Sequence, residues 1–474
     1  MTARFEAIVI GGGPAGMAAS VTIAAAGHSV LLVDEAAAPG GQVYRATFPG
    51  LDAGPVQGDA DRRLGDAWRA RLRGSAVQVA SEHVVWEVGE GFRVSALGSN
   101  GSVSWRARAL VAATGTTERV VPFKGWTTPG VFGLAGATVM LKAQMTLPGQ
   151  NVVVAGVGPL LAAVAYKIVT SGGRVAAIVD LSSASDWLGR LPAMATRPDL
   201  LARGLMWMAR LLRAGVPFHR RSTISAVHGA ARVEAVDIVP VDGDRRPIPG
   251  RQPISMPCDA LVIGHGLVPQ TDVTGLLGAL HRFEVARGGW IAERDGNFET
   301  TIPGLFIAGD GGGIFGAAAA TAQGELAGHA VSRHLSGHST AGEIGRLRRQ
   351  LRRAQRFGGA MAELMALRDG QVDAITADCV VCRCEDVTRA EIDAAVDAGA
   401  TDVNQMKAWT RCGMGPCQGR SCGDVAAAIV GLRVGGRVVA GKFTVRPPIR
   451  PLPIGKLTGR FDYADIPIPK PAPL

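Results

Sequence analysis

For most of its length the 474-residue sequence is nearly without cysteine: residues 1–378 contain Cys258 alone. A redox-active C-x-x-C pair has no place there, so dithiol–disulfide exchange is excluded from that part of the chain. Long apolar runs are missing too. Gly and charge interrupt every Ala-rich stretch before it reaches the ~20 apolar residues that a spanning helix requires. The opening MTARFEAIVIGGGPAG has no basic start, extended apolar segment or cleavage site, so a cytoplasmic location is expected, with at most peripheral contact with the inner membrane. Lys and Arg exceed Asp and Glu by 50 to 40. However, the most basic run, Arg346 to Arg356, has no interleaved aromatic residues, so no nucleic-acid partner is expected. Leu347, Leu351 and Ala354 give that run an apolar stripe, the pattern of a helix with a solvated basic face.

Glycine is what the chain has in quantity, 64 residues, many beside apolar runs. The length implies two or three cores. Ala7 to Ile10 reads as a buried strand, Gly11-Gly12-Gly13-Pro14-Ala15-Gly16 as a turn, and Met17 to Ala26 as a helix; Val30 to Val33 then forms a second strand closed by Asp34-Glu35. This is the order that places a pyrophosphate on a helix N-terminus and an acid on a ribose. Gly11 allows the tight turn, Gly13 the approach to the phosphates, and Gly16 the contact of helix with strand. Pro39-Gly40-Gly41-Gln42, the strand end Ala113-Thr114-Gly115 and the distant Gly304-Leu305-Phe306-Ile307-Ala308-Gly309-Asp310 follow in order. Together these resemble the glutathione-reductase and thioredoxin-reductase superfamily. The resemblance implies FAD or another adenine dinucleotide, with Asp310 on the flavin ribityl chain.

A second copy begins at Asn151, with the turn Gly156-Val157-Gly158-Pro159-Leu160-Leu161 and a strand Arg174 to Val179 ending at Asp180. Leu161 replaces the third glycine, so an altered pocket is expected. His265 reads as a packing residue. Met206, Trp207 and Met208, in an amphipathic stretch from Leu200 to Leu212, read as core.

Six of the seven cysteines fall between Cys379 and Cys422. In a reducing compartment, such clustering points to metal rather than disulfides. A zinc ribbon needs two C-x-x-C pairs, and only Cys379–Cys382 has that spacing. Thr388 and Glu391 form a capping box for a helix. Cys382, Cys384, Cys417 and Cys422 give C-x-C and C-x4-C pairs that look like a bacterioferritin-associated-ferredoxin-like [2Fe-2S] domain, which implies these four as ligands and leaves Cys379 and Cys412 surplus. Sequence alone leaves Cys412 open as a ligand.

The fold class expected is therefore α/β: a glutathione-reductase-like flavoprotein with two dinucleotide-binding domains, followed by a small helical [2Fe-2S] domain. Its parts are an FAD domain (1–148 and 285–335), a degenerate second dinucleotide domain (149–284), a helical connector (336–375), the [2Fe-2S] domain (376–435) and a proline-rich tail (436–474). The tail reads as an extended strap over a neighbour or partner subunit, or as a solvated tail. The order of parts, together with Pro122-Phe123-Lys124-Gly125-Trp126, resembles the α-type subunits of bacterial heteromeric amine and amino-acid dehydrogenases. That family includes opine oxidase A subunits, hydrogen cyanide synthase flavoprotein subunits and dye-linked proline dehydrogenase α subunits. Lys124 stands where relatives are expected to have proline.

The family resemblance implies a D-amino-acid-oxidase-like flavoprotein β subunit that oxidises the substrate, and a small third subunit. It further implies an FMN at the subunit interface and a quinone or soluble carrier as acceptor. A self-sufficient NAD(P)H-dependent reductase is the competing reading, with Asp180 in its favour and Leu161 against it. A non-catalytic scaffold has no use for six clustered cysteines.

Overall fold

The computed structural model describes residues 3–48, 50–51, 60–337 and 341–456. The first strand, Ala3–Ile10, lies parallel to Val30–Val33 on one side and to Gly101–Ala112 on the other. Ala7 to Ile10 and Val30 to Val33 are buried throughout. Near-continuous apolar runs suit a parallel sheet covered on both faces. Gln78–Ala80 extends this sheet beyond Val30–Val33, and an antiparallel pair, Arg93–Gly98 and Val84–Gly89, completes it beyond Gly101–Ala112. The late strand Leu305–Ile307 runs parallel to Leu110–Ala112, which carries Gly309 and Asp310 back to the first glycine turn.

The helix after that turn, Pro14–Ala25, packs on the long helix Ala317–Ser336. A β-carbon at Gly324 would stand 2.1 Å from the Ala15 carbonyl oxygen, so only glycine permits this approach.

The second sheet is wholly parallel, in the order Phe218–Arg220, Arg174–Asp180, Asn151–Gly156, Ala260–Gly264, Val131–Gly133. An antiparallel meander of Ser222–His228, Ala235–Pro240 and Ile254–Pro257 flanks it. The basic run lies in a connector helix, Ala341–Leu364, and its stripe of Leu347, Leu351 and Ala354 is buried against the first domain as the spacing implied. The far end of this helix enters the second fold, where Ala360, Met361, Leu364 and Met365 share a core with Val157, Leu181 and Val241.

Thr388 caps the helix Arg389–Asp397 with the reciprocal Glu391 contact, and the cysteine module continues through Val403–Thr410 and Gly423–Val434. Its core takes in Val121 and Trp126. The Pro122–Trp126 segment thus has a packing role, with the Trp126 indole donating to the Val380 carbonyl at 2.6 Å. Deeper in the same interface, Arg119 pairs with Asp424 at 2.7 Å. Burial raises the Asp424 carboxyl and the Arg119 and Arg437 guanidiniums lower it more, leaving it at about 2.

Candidate functional site

The two glycine turns, built alike, have different surroundings. At the first, Gly11 has φ +103°, and a β-carbon there would lie 2.4 Å from the Ala113 carbonyl oxygen; a β-carbon on Gly16 would lie 1.8 Å from the Gly11 carbonyl oxygen. These contacts hold helix and strands together. Gly13 is different, because its β-carbon would meet only Gly41 Cα, at 3.9 Å, and otherwise faces the cavity. That cavity has a volume of 1470 Å³. Gly11, Gly13, Pro14 and Ala15 line it, as do Asp34, Glu35, Gly41, Gln42, Ala113, Thr114, Gly115, Gly309 and Asp310. Gly16, which packs on Gly11, is the one expected cofactor contact outside the lining.

The two acids at the strand end have separate tasks. Asp34 is buried and accepts from the Gly12 and Ala36 backbone N–H groups, the latter at 2.7 Å. Burial raises its carboxyl, against the pull of those donors. Glu35 is exposed on the cavity wall and pairs with Arg450 at 3.4 Å. Asp310 accepts from Phe315 and Gly316 N–H at 2.8 and 2.9 Å, both through Oδ1, so Oδ2 has no protein donor among the described residues. Burial raises it as well. Glu118, on the cavity wall, is pushed up to about 7 by burial, although Ala135 N–H donates to it at 3.0 Å.

The sequence reading missed several cavity-lining residues. Ile449 and Arg450 come from the proline-rich tail, Glu118 from a segment without a motif, and Tyr166 and Lys167 from the helix Leu160–Thr170 that follows the second glycine turn. The core reading of Met206 and Trp207 is overturned, since both line the cavity and Met206 is half exposed. Their helix, Pro198–Arg213, fully buries only Leu211 and packs on the helix Leu160–Thr170; Met206 and Trp207 border the cavity, and Leu205 and Leu212 are exposed. His265 is buried as expected, and its imidazole is pushed down to about 4 by burial and by Arg119 and Arg245.

In the cysteine module the sulfurs of Cys382, Cys412 and Cys422 lie within 4.8 Å of one another, all three buried. Gly413 N–H donates to Cys382 Sγ at 3.5 Å. Cys412 and Cys422 beside Cys382 hold its thiol well below the usual range. Cys384 and Cys417, both partly exposed, form a second pair in mutual contact. The buried group thus contains two of the four cysteines of the ferredoxin-like spacing, Cys382 and Cys422, together with Cys412, while the other two, Cys384 and Cys417, form the partly exposed pair beside it; Cys379 is buried and its thiol raised to about 11, apart from the group. The three buried sulfurs, drawn from residues 382–384 and the 412–422 loop, form a donor set that could hold a metal, with the Cys384–Cys417 pair next to it.

Residues 5–324 match the pyridine nucleotide-disulphide oxidoreductase family and residues 378–460 the sarcosine oxidase A3 domain. The opine oxidase A subunit from Rhizobium meliloti is 34% identical, covering 96% of this chain and 98% of the relative. The hydrogen cyanide synthase HcnB subunit from Pseudomonas aeruginosa is 32% identical, covering 94% and 97%.

The chain belongs to the pyridine nucleotide-disulphide oxidoreductase family. Within this family it groups with the opine oxidase A and HcnB subunits, and is a flavoprotein oxidoreductase. The solved L-proline dehydrogenase from P. horikoshii shares the fold with a TM-score of 0.71 at 21% identity, covering 97% of this chain and 81% of that one.

The second glycine turn departs from the family's name. Gly158 has φ +101°, like a phosphate-binding glycine, but a β-carbon there would lie 2.7 Å from Met365 Cγ. Met365, which follows the connector helix, stands over this turn, and with Val157 and Leu160 it borders the same cavity that lies open at Gly13. Two buried arginines hold this stopper: Arg245 donates to the Leu364 and Ala366 carbonyls at 2.6 and 2.9 Å, and Arg119 to that of Met365 at 3.4 Å. Asp180, placed for a ribose by its sequence position, accepts from Ser182 N–H at 2.9 Å, and burial raises it. Among the described residues no helix is long and apolar enough to cross a membrane.

Proposed function

We propose that this chain is the electron-transfer subunit of a cytoplasmic heteromeric opine or amino-acid dehydrogenase acting on CH–NH donors. A partner flavoprotein subunit, D-amino-acid-oxidase-like, would oxidise the secondary amine, with a small third subunit and an interface FMN completing the complex. Electrons would leave to a quinone or soluble carrier. FAD fits the first pocket, with Gly13 and the N-terminus of helix Pro14–Ala25 meeting the pyrophosphate, Glu35 the ribose and the open oxygen of Asp310 the ribityl chain. Cys382, Cys384, Cys417 and Cys422 would hold the [2Fe-2S] cluster. The flavin would supply two-electron acceptance with single-electron release, and the cluster one-electron transfer.

The observation that carries this reading is the contrast between an open first turn and a stoppered second one. One pocket accepts a dinucleotide. Met365 stands over the turn where a nicotinamide nucleotide would dock, which leaves a partner subunit as the source of electrons, and the named relatives are themselves called subunits. An exposed apolar face on and before the Pro198–Arg213 helix, with Leu188, Leu205 and Leu212 each more than 60% exposed, is surface of the kind subunit contacts bury.

The test is an anaerobic titration of the purified chain, alone and with its co-expressed partner, following flavin and cluster absorbance. Amine plus partner is expected to bleach both, and NADH or NADPH neither. Bleaching of the isolated chain by nicotinamides within turnover time would sink the relay model.

A further inference from the structure

The segment that leaves the cysteine module has two attachments. The ring of Phe443 fills the space under the cysteine loop, where β-carbons at Gly413, Gly419 and Gly423 would stand 2.6, 2.7 and 3.2 Å from it. Further along, Ile449 N–H donates to the Trp86 carbonyl at 2.8 Å, and the Ile449 side chain is buried in the core of the first domain. Arg450 then reaches Glu35 at 3.4 Å. With the Gln270 amide nitrogen donating to the Thr114 carbonyl at 3.0 Å, its oxygen accepts from Arg450 at 3.0 and 3.3 Å. Thr114, Gln270, Glu35, Ile449 and Arg450 all line the first cavity.

The loop between Cys417 and Cys422 grips the same strap. Gln418 donates to the Pro448 carbonyl at 2.7 Å, and Arg420 donates to the Ile449 carbonyl and pairs with Asp272, another cavity residue, at 2.9 Å. One short stretch of chain is therefore a wall of the nucleotide pocket and a support of the cysteine loop.

We propose that Ile449 and Arg450 close the adenosine end of the first pocket over an adenine nucleotide, and that through Gln418 and Arg420 this closure links pocket occupancy to the order of the Cys417–Cys422 loop. Arg450 is the guanidinium beside the ribose acid, positioned to share its fork between Glu35 and a nucleotide phosphate. Anything that binds the closed strap stabilises what the strap holds. The inference rests on the reading that the first pocket takes an adenine dinucleotide.

The experiment compares the full chain with its Arg450→Ala and Arg450→Lys variants, each freed of nucleotide and titrated with FAD and with ADP at low and high salt. Loss of a charge-assisted contact predicts roughly tenfold or greater weakening for Arg450→Ala, a smaller effect for Arg450→Lys, and a shallower salt dependence in both. Hydrogen exchange at residues 417–422 is expected to slow on ADP addition in the unaltered chain and to respond less in Arg450→Ala. Equal thermal unfolding of the three chains shows that the variants are folded. Binding by Arg450→Ala within twofold of the unaltered chain, at both salt concentrations, would overturn the strap's role while leaving the pocket reading intact. An unaltered chain that binds neither FAD nor ADP would overturn both.

Discussion

The first and second dinucleotide folds are built from the same strand, glycine turn and helix, and they differ in what stands in front of the turn. At Gly13 there is a cavity, whereas at Gly158 there is Met365. A glycine pattern reports the conformation of a backbone and the room immediately above it. It does not report whether a ligand or a methionine uses that room. In the second fold the residue over the turn comes from the connector, whose last residues share a core with Val157, Leu181 and Val241 and so join the domains.

The stopper depends most on Arg245, which is 2% exposed. Arg245→Met removes donors to two connector carbonyls and to Gln371, so a loss of about 3–5 kcal/mol in unfolding free energy is expected. Denaturant unfolding measures this, and hydrogen exchange at residues 360–366 should rise with it. A loss below ~1 kcal/mol would mean that the connector stays in place without the arginine.

Substitution at the two turns sets the folds directly against each other. Gly13→Val projects a side chain into the first cavity and is expected to weaken FAD binding by at least ~100-fold with the fold intact. Gly158→Ala meets Met365 at a positive φ, so it should cost ~1–3 kcal/mol in stability and leave FAD binding unchanged. Flavin fluorescence and thermal melts separate the two effects. If the Gly158 variant loses nucleotide and the Gly13 variant does not, the assignment of open and closed folds is reversed.

Glu118 tests the wall between the folds. Its carboxyl stands at about 7 when folded against an ordinary value of 4.5, because burial disfavours the charged form. A raised folded pKa means that its contribution to stability is full below about 4.5 and is lost as pH rises through about 7. Glu118→Gln cannot ionise. Its melting temperature relative to the unaltered chain should therefore be higher at pH 8 than at pH 5, by roughly 2–4 °C. A pH-independent difference would place the carboxyl in water.

The fold was legible because its signals are local. The run from Ala7 to Gly16, the Gly309-Asp310 return, the Thr388–Glu391 cap and the Leu347–Ala354 stripe each announce their geometry within a few residues. The stopper was not legible, since nothing in Met365 itself points to Gly158, far away along the chain. Met206 and Trp207 were misread for a related reason: an apolar helical face has the same pattern whether it meets a core or a cavity wall. The tail's prolines left open a strap over a neighbour or partner subunit and a solvated tail; in its described part, to Lys456, Ile449 is buried in the first domain and Arg450 stands beside Glu35, while the final proline cluster lies outside the described residues.

The cysteine module repeats the lesson at smaller scale, with spacing favouring Cys384 and Cys417 and proximity bringing Cys412 to Cys382 and Cys422. If the ligands are those of the spacing, Cys412 is a neighbouring sulfur that tunes the centre without holding it. Cys412→Ser should then retain full iron and acid-labile sulfide and show only a shifted visible circular dichroism or paramagnetic resonance spectrum, whereas Cys422→Ser should lose iron. Loss of iron in Cys412→Ser would transfer ligand status to Cys412 and release one of the outer pair. Iron analysis of Cys384→Ser and Cys417→Ser would identify which, since the released cysteine alone could be replaced without loss.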